Sequence, residues 1–189
     1  ITDDSTQITG FTPLGPPGSL IFDPPVNSDI SVPGDVDTYL VSLDANQTIT
    51  VTLTTAGSLQ GSIELKAPGG AVIGTSLAVS AGTSIFIQTA PAATAGTYIF
   101  EVSGFGSTTG AYEVEVLLNA AVEAESFGVG TNNTTATAQD LSGSFIVTAG
   151  GAEQRGAVLG SAQAATNDFY SFTLAVGQSV SLAATGAVT

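Results

Sequence analysis

The chain has 189 residues, with 16 acidic and 2 basic side chains, a formal net charge of −14 and neither Cys nor His. Without thiols or imidazoles it can build no disulfide framework, no thiolate metal site and no Ser/His/Asp or Cys/His nucleophile system. Lys66 and Arg155 are its only cations, which excludes nucleic acids and anionic membranes as partners, and no apolar run reaches the about 18 residues that span a bilayer.

Charged residues make up 10% of the chain, so its surface must be covered mainly by Thr, Ser, Gly, Asn and Gln. That coat, with the acidity, fits an extracellular or cell-surface protein, and Ile1 with no Met anywhere reads as a processed or excised piece. After Asp3 and Asp4 comes FTPLGPPGSLIFDPPV, residues 11–26, with five prolines in sixteen positions. Proline supplies no ladder donor, so an extended arm along an edge or groove is expected, its middle tied down by Leu20, Ile21 and Phe22.

Beyond the arm, apolar residues recur with period two. Tyr39, Val41 and Leu43 alternate with smaller or polar neighbours, as do Ile49, Val51 and Leu53, then Tyr98, Phe100 and Val102, then Tyr112, Val114 and Val116. Strands are expected near 28–32, 37–43, 48–54, 61–66, 71–76, 84–89, 97–103 and 110–118, separated by turns such as Ala67-Pro68-Gly69-Gly70 and Gly104-Phe105-Gly106. Short strands at this spacing predict an all-β, antiparallel β-sandwich of jelly-roll type. The alanine-rich Asn119–Ser126 reads as a connection between units rather than a helix.

The stretch DVDTYLVSLDANQTITVTL from Asp35 to Leu53 returns as TNDFYSFTLAVGQSVSLAA from Thr166 to Ala184, Tyr39 matching Tyr170 and Gln47 matching Gln178 at an offset of 131. A weaker echo aligns Asn132-Asn133 with Asp3-Asp4. The chain therefore divides into a first unit at 1–118, a linker and acidic leader at 119–131, and the first half of a second unit at 132–189. The half-unit would leave apolar strands near Phe145, 169–174 and 180–182 with open edges, which invites a partner strand.

Asp35-x-Asp37-x-Tyr39 leading into Leu43-x-x-x-Gln47-x-Ile49-x-Val51, then Pro68-Gly69-Gly70, Ala95-Gly96-Thr97-Tyr98-x-Phe100-x-Val102 and Gly110-Ala111-Tyr112-x-Val114, resembles the bacterial pre-peptidase C-terminal domain. These modules are similar to the collagen-binding domains of clostridial collagenases. The resemblance covers nearly all of 29–118 and, in the second copy, 123–184. It implies a β-sandwich jelly-roll serving as an accessory module of secreted or surface proteins, many members binding calcium. In the second copy it implies an ion site from Glu123, Glu125, Asn132 and Asn133 meeting Asn167 and Asp168; in the first, from Asp3 and Asp4 with Asp35 and Asp37. The chain departs from that pattern in Phe127–Thr131, inserted between the glutamates and the asparagines. Calcium takes six to eight oxygen ligands, which suits such a set, although a Pro33-Gly34-Asp35 turn and a strand beginning at Asp37 would account for those two residues without an ion.

Glu64, Glu101, Glu113 and Glu115 alternate with apolar strand positions and so point to solvent, which argues against a glycosidase pair and for no enzymatic activity. The expected function is a non-catalytic extracellular module of a multi-repeat protein, a structural spacer, assembly or adhesion unit stabilised by calcium, contacting other repeats or a neighbouring chain. Two alternatives stand beside it. One is an accessory domain that binds polysaccharide or fibrous protein through exposed aromatics such as Phe86, Phe105 or Tyr112; the other is a filament or lattice subunit completed by a partner chain.

Overall fold

The computed structural model describes residues 5–15, 21–148, 150–151, 153–161 and 166–186. Its first eleven strands are β1 (Ser5–Gln7), β2 (Thr12–Pro13), β3 (Phe22–Asp23), β4 (Pro25–Ile30), β5 (Val36–Leu43), β6 (Ile49–Thr55), β7 (Gly61–Lys66), β8 (Val72–Leu77), β9 (Ile85–Gln88), β10 (Gly96–Gly104) and β11 (Gly110–Leu118). They form two facing sheets, one in the order β1-β5-β10-β7-β8, the other in the order β2-β3-β11-β6-β9 with β4 also on β11. Apart from β1, which runs parallel to β5, these pairs are antiparallel. The chain is thus an all-β, antiparallel β-sandwich.

Period-two alternation turns one face of the central strands inward. Val41 and Leu43 of β5, Ile63 and Leu65 of β7 and Phe100 and Val102 of β10 meet Val51 and Leu53 of β6 and Val114 and Val116 of β11 in one buried core. Tyr39 stacks on Phe100 with ring centroids 4.9 Å apart, adding an aromatic contact to the area both rings bury. Where β10 ends, Gly104 is required by close approach: a Cβ there would lie 2.1 Å from the Thr108 carbonyl oxygen.

The described parts of the proline-rich arm, 11–15 and 21–26, include the short strands β2 and β3 and the start of β4. Ile21 is buried, Phe22 packs on the core, and β3 joins the second sheet through the pair Phe22 and Leu118. Leu20 lies outside the described residues.

The outer face of the second sheet is covered as well. Thr48, Thr50 and Thr52 are buried because the chain leaving β11 folds back over them, and Thr50 Oγ1 donates to the Ala120 carbonyl at 2.7 Å. Threonine suits position 50, since its methyl group buries while its hydroxyl finds a backbone acceptor. The stretch read as a linker is accordingly packed, with Asn119, Ala120, Ala121, Val122 and Glu123 all buried and Phe127 against Phe86 at 5.0 Å.

After that come β12 (Ala121–Val122), β13 (Gln139–Asp140), β14 (Ile146–Val147), β15 (Gln154–Arg155), β16 (Val158–Leu159) and β17 (Tyr170–Ser171). They make three short ladders, β12 parallel to β16, β13 parallel to β17, and β14 antiparallel to β15. Two details echo the first sandwich. Residues 139–140 run parallel to Tyr170–Ser171 as 6–7 run parallel to Tyr39–Leu40. The turn after each tyrosine strand is also closed alike, Asp44 N donating to Gln47 Oε1 at 2.7 Å and Ala175 N to Gln178 Oε1 at 2.6 Å. Beyond Ser171 no described residue is in a strand, and Leu174, Val180 and Leu182 are exposed.

Candidate functional site

Glu123 follows β12 directly and is only 3% exposed. Four groups from four stretches of chain donate to its carboxylate: Tyr170 Oη at 3.0 Å and Asn132 Nδ2 at 3.2 Å to Oε1, Ser161 N at 3.1 Å and Ser126 Oγ at 3.2 Å to Oε2. Burial works to raise this carboxyl, but the four hydrogen bonds outweigh it and hold Glu123 below the usual carboxylate range. The same contact has the opposite effect on Tyr170, whose hydroxyl is pushed up to about 12 by burial and by the neighbouring carboxylate.

Glu125 sits one residue beyond, in a single 3₁₀ turn at Ala124–Phe127. Its Oε2 accepts from Asn132 N at 3.1 Å and its Oε1 from Asn133 Nδ2 at 3.2 Å. Both asparagines therefore point their amide nitrogens at glutamates, which leaves the amide oxygens. Asn132 Oδ1 and Asn133 Oδ1 are buried without a hydrogen-bond partner, an arrangement costly enough to require an explanation. A hollow of about 140 Å³ opens beside Asn132, bordered also by Glu125, Thr137 and Gln139.

Asp168 completes the acidic neighbourhood. Its carboxyl is raised by desolvation and by the charges of Glu123 and Glu125, which places all three within electrostatic reach. Asn167 beside it is exposed. Among the described residues no three carboxylates converge closely enough to cage an ion by themselves, so any ion here would depend on the asparagine oxygens as much as on the glutamates.

The corresponding region of the first sandwich is built differently. Asp35 is buried in its own turn, its Oδ2 accepting from Ser31 N at 3.2 Å and Ser31 Oγ at 3.1 Å. Asp37 lies within β5 and accepts from the Tyr112 hydroxyl and from Ser28 Oγ at 3.4 Å, while Tyr112 and Tyr39 share a hydroxyl contact of 2.6 Å. Asp35 and Asp37 thus have separate partners. Asp3 and Asp4, expected to join them, lie outside the described residues.

Sequence reasoning missed Tyr170, Ser126, Ser161 and Gln139 as supports of the glutamates. Gln139 holds the backbone on both sides of Glu123, receiving Ala124 N at 2.9 Å and donating to the Val122 carbonyl at 2.8 Å. The repeat singles out Tyr170 only as the counterpart of Tyr39. Of the three aromatics considered for binding, Tyr112 is buried, Phe86 packs on Phe127, and Phe105 is exposed.

No family model and no curated protein sequence matches the chain. Several solved structures are similar to it. One is PliG of Aeromonas hydrophila, a periplasmic lysozyme inhibitor of g-type lysozyme, with 16% identity over 62% of this chain and 99% of that one and a TM-score of 0.44. Another is the pre-peptidase C-terminal domain of a collagenase from Bacillus anthracis, with 14% identity over 61% of this chain and 97% of that one and a TM-score of 0.44. A third is a chain of the pili that form Bacillus endospore appendages, with 15% identity, 56% and 96% coverage and a TM-score of 0.33. At these identities the likeness is one of fold.

Proposed function

We propose that the chain is a non-catalytic module of an extracellular or surface protein, a spacer or adhesion unit repeated in tandem, with calcium binding where one unit joins the next. The observation that carries the ion is the pair of orphaned oxygens, Asn132 Oδ1 and Asn133 Oδ1, buried beside Glu123 and Glu125. Oxygen donors of this mixture, two carboxylates and two amides with room for water, match the preference of a hard divalent cation. Calcium, when bound, supplies the positive charge that offsets Glu123, Glu125 and Asp168. The residues themselves bring together the end of the first sandwich, the Asn132 loop and the Tyr170 strand. The repeated turn and the repeated parallel pairing support the tandem reading.

Absence of catalysis rests on residue types. With no His or Cys, a nucleophile would need another base, and Lys66 is held by Glu101 at 2.7 Å and Glu64 at 3.2 Å. A second reading, a module that binds polysaccharide or fibrous protein, is favoured by one feature. Phe105 stands exposed on a loop fixed by Phe105 N to Gln60 O at 2.8 Å and Thr108 Oγ1 to Phe105 O at 2.9 Å.

Thermal unfolding with calcium and with excess chelator tests the first reading. A ligand held only by the folded state at a hundredfold excess over its dissociation constant adds about 2.7 kcal/mol. The expected result is an upward shift in Tm that Glu125→Gln abolishes and Asp37→Ala leaves intact. An unchanged Tm would remove the ion.

A further inference from the structure

Away from Glu123, the fold brings another two carboxyl groups into contact. Phe22 stands across from Leu118 and Pro25 across from Glu115, a register that sets Asp23 of β3 and Glu115 of β11 on one face as diagonal neighbours, and Glu113, on the same face of β11, adds a third negative charge. Two ionised carboxylates cannot share a hydrogen bond, because neither has a proton to donate. Asp23 Oδ1 is buried with no partner of its own.

The surroundings offer little to offset these charges. Across from Glu115 stand Pro25 of β4 and Thr52 of β6, and across from Glu113 stand Asn27 and Thr54. Thr12 of β2 pairs with Asp23, and Asp29, further along β4, is a fourth acid. From the C-terminal side a cleft of about 230 Å³, bordered by Leu117, Val122, Phe127 and Ser161, lies against Glu115. Glu123 and Glu125 on that segment are turned into their own hydrogen bonds. Burial raises both acids; the charge of Glu113 adds to the rise at Asp23, and contact with Asp23 together with the charge of Glu113 pushes Glu115 up to about 7.

We infer that Asp23 and Glu115 share one proton and form an acid-closed clasp that fastens the N-terminal arm to the second sheet and opens when that proton is lost. The clasp adds to a short pairing, since among the described residues β3 meets β11 in register at Phe22 and Leu118, beside the buried Ile21. Because the closed form holds the proton more tightly than the open one, closure is fully favoured below the ordinary carboxylate range and is lost as pH rises toward 7. Within that window each pH unit changes the closed-to-open ratio by up to about tenfold.

Hydrogen exchange of the amides of Thr12, Leu14, Phe22 and Asp23, measured at pH 5 and pH 8 with chelator present and corrected for intrinsic rates, tests the clasp. Protection should fall more than about tenfold in the natural chain. It should stay high at pH 8 in Glu115→Gln and in Asp23→Asn, where an amide replaces the shared proton. A fall of equal size in Glu115→Gln, or no fall in the natural chain, would overturn the inference. So would a Glu115 carboxyl carbon that titrates by NMR in the ordinary carboxylate range, a readout that needs no variant to fold.

Discussion

Tyr39 and Tyr170 hold matching places in two similar stretches of sequence, yet their hydroxyls meet different company. Tyr39 is 3% exposed, stacks on Phe100 and reaches the Tyr112 hydroxyl, which in turn donates to Asp37. Tyr170 is only half-buried and donates to Glu123, whose neighbours Asn132 and Asn133 keep buried amide oxygens unpaired. In the first region the polar atoms near the tyrosine close upon one another, whereas in the second they leave two acceptors over. The comparison teaches that one strand pattern can be packing in one place and scaffold for a polar site in another, depending on what lies across from it.

The sharpest way to break this contrast is to remove both rings in turn. Tyr39→Ala should cost about 3–5 kcal/mol in guanidinium unfolding, the range for deleting a large core aromatic, while Tyr170→Ala should cost about 1 kcal/mol in chelator. Similar costs would mean that the two tyrosines play the same part. A finer probe is Tyr112→Phe, which leaves the Tyr39 hydroxyl and Asp37 without their shared partner. About 1–3 kcal/mol should be lost by the same measurement, with any calcium response unchanged.

The smallest effect concerns acid. Glu123 is held below the usual carboxylate range, so the folded state binds its proton less tightly than the unfolded chain does. Its contribution is present above the ordinary carboxylate pKa and is lost as pH falls through the lowered value. Stability followed from pH 6 to pH 3 should therefore drop less steeply in Tyr170→Phe, which lacks one of the four donors.

The eight strands expected from period-two patterning lie within about three residues of β4 to β11 at either end, because apolar residues mark the core face of all but β8, whose Val72, Ile73 and Leu77 are exposed. β1 was not legible: Ser5-Thr6-Gln7 is wholly exposed, carries no apolar alternation, and is a strand only because it lies along β5. The acidic residues near Glu123 could be named from the resemblance. Their donors could not, since Ser161 and Tyr170 arrive from 38 and 47 positions away. Glu115 shows the limit of alternation as a guide. Its place on β11 points it away from the core, but the arm and the returning chain cover that face and leave it half-buried against Asp23. A face pattern describes one sheet and is silent about what folds over its far side.

The course of the chain through the sandwich has a mechanical consequence. β1 begins beside Thr38, near the Ser31–Asp35 turn, whereas β11 ends beside Ile49, next to the Asp44–Gln47 turn at the opposite end. Tension applied between Ser5 and Ala120 therefore runs along the strands. The bonds that tie the first strand down, Ile8 N to Leu40 O at 2.8 Å and Gln7 Nε2 to Leu40 O at 3.0 Å among them, are loaded side by side in shear and must yield together rather than peel one at a time.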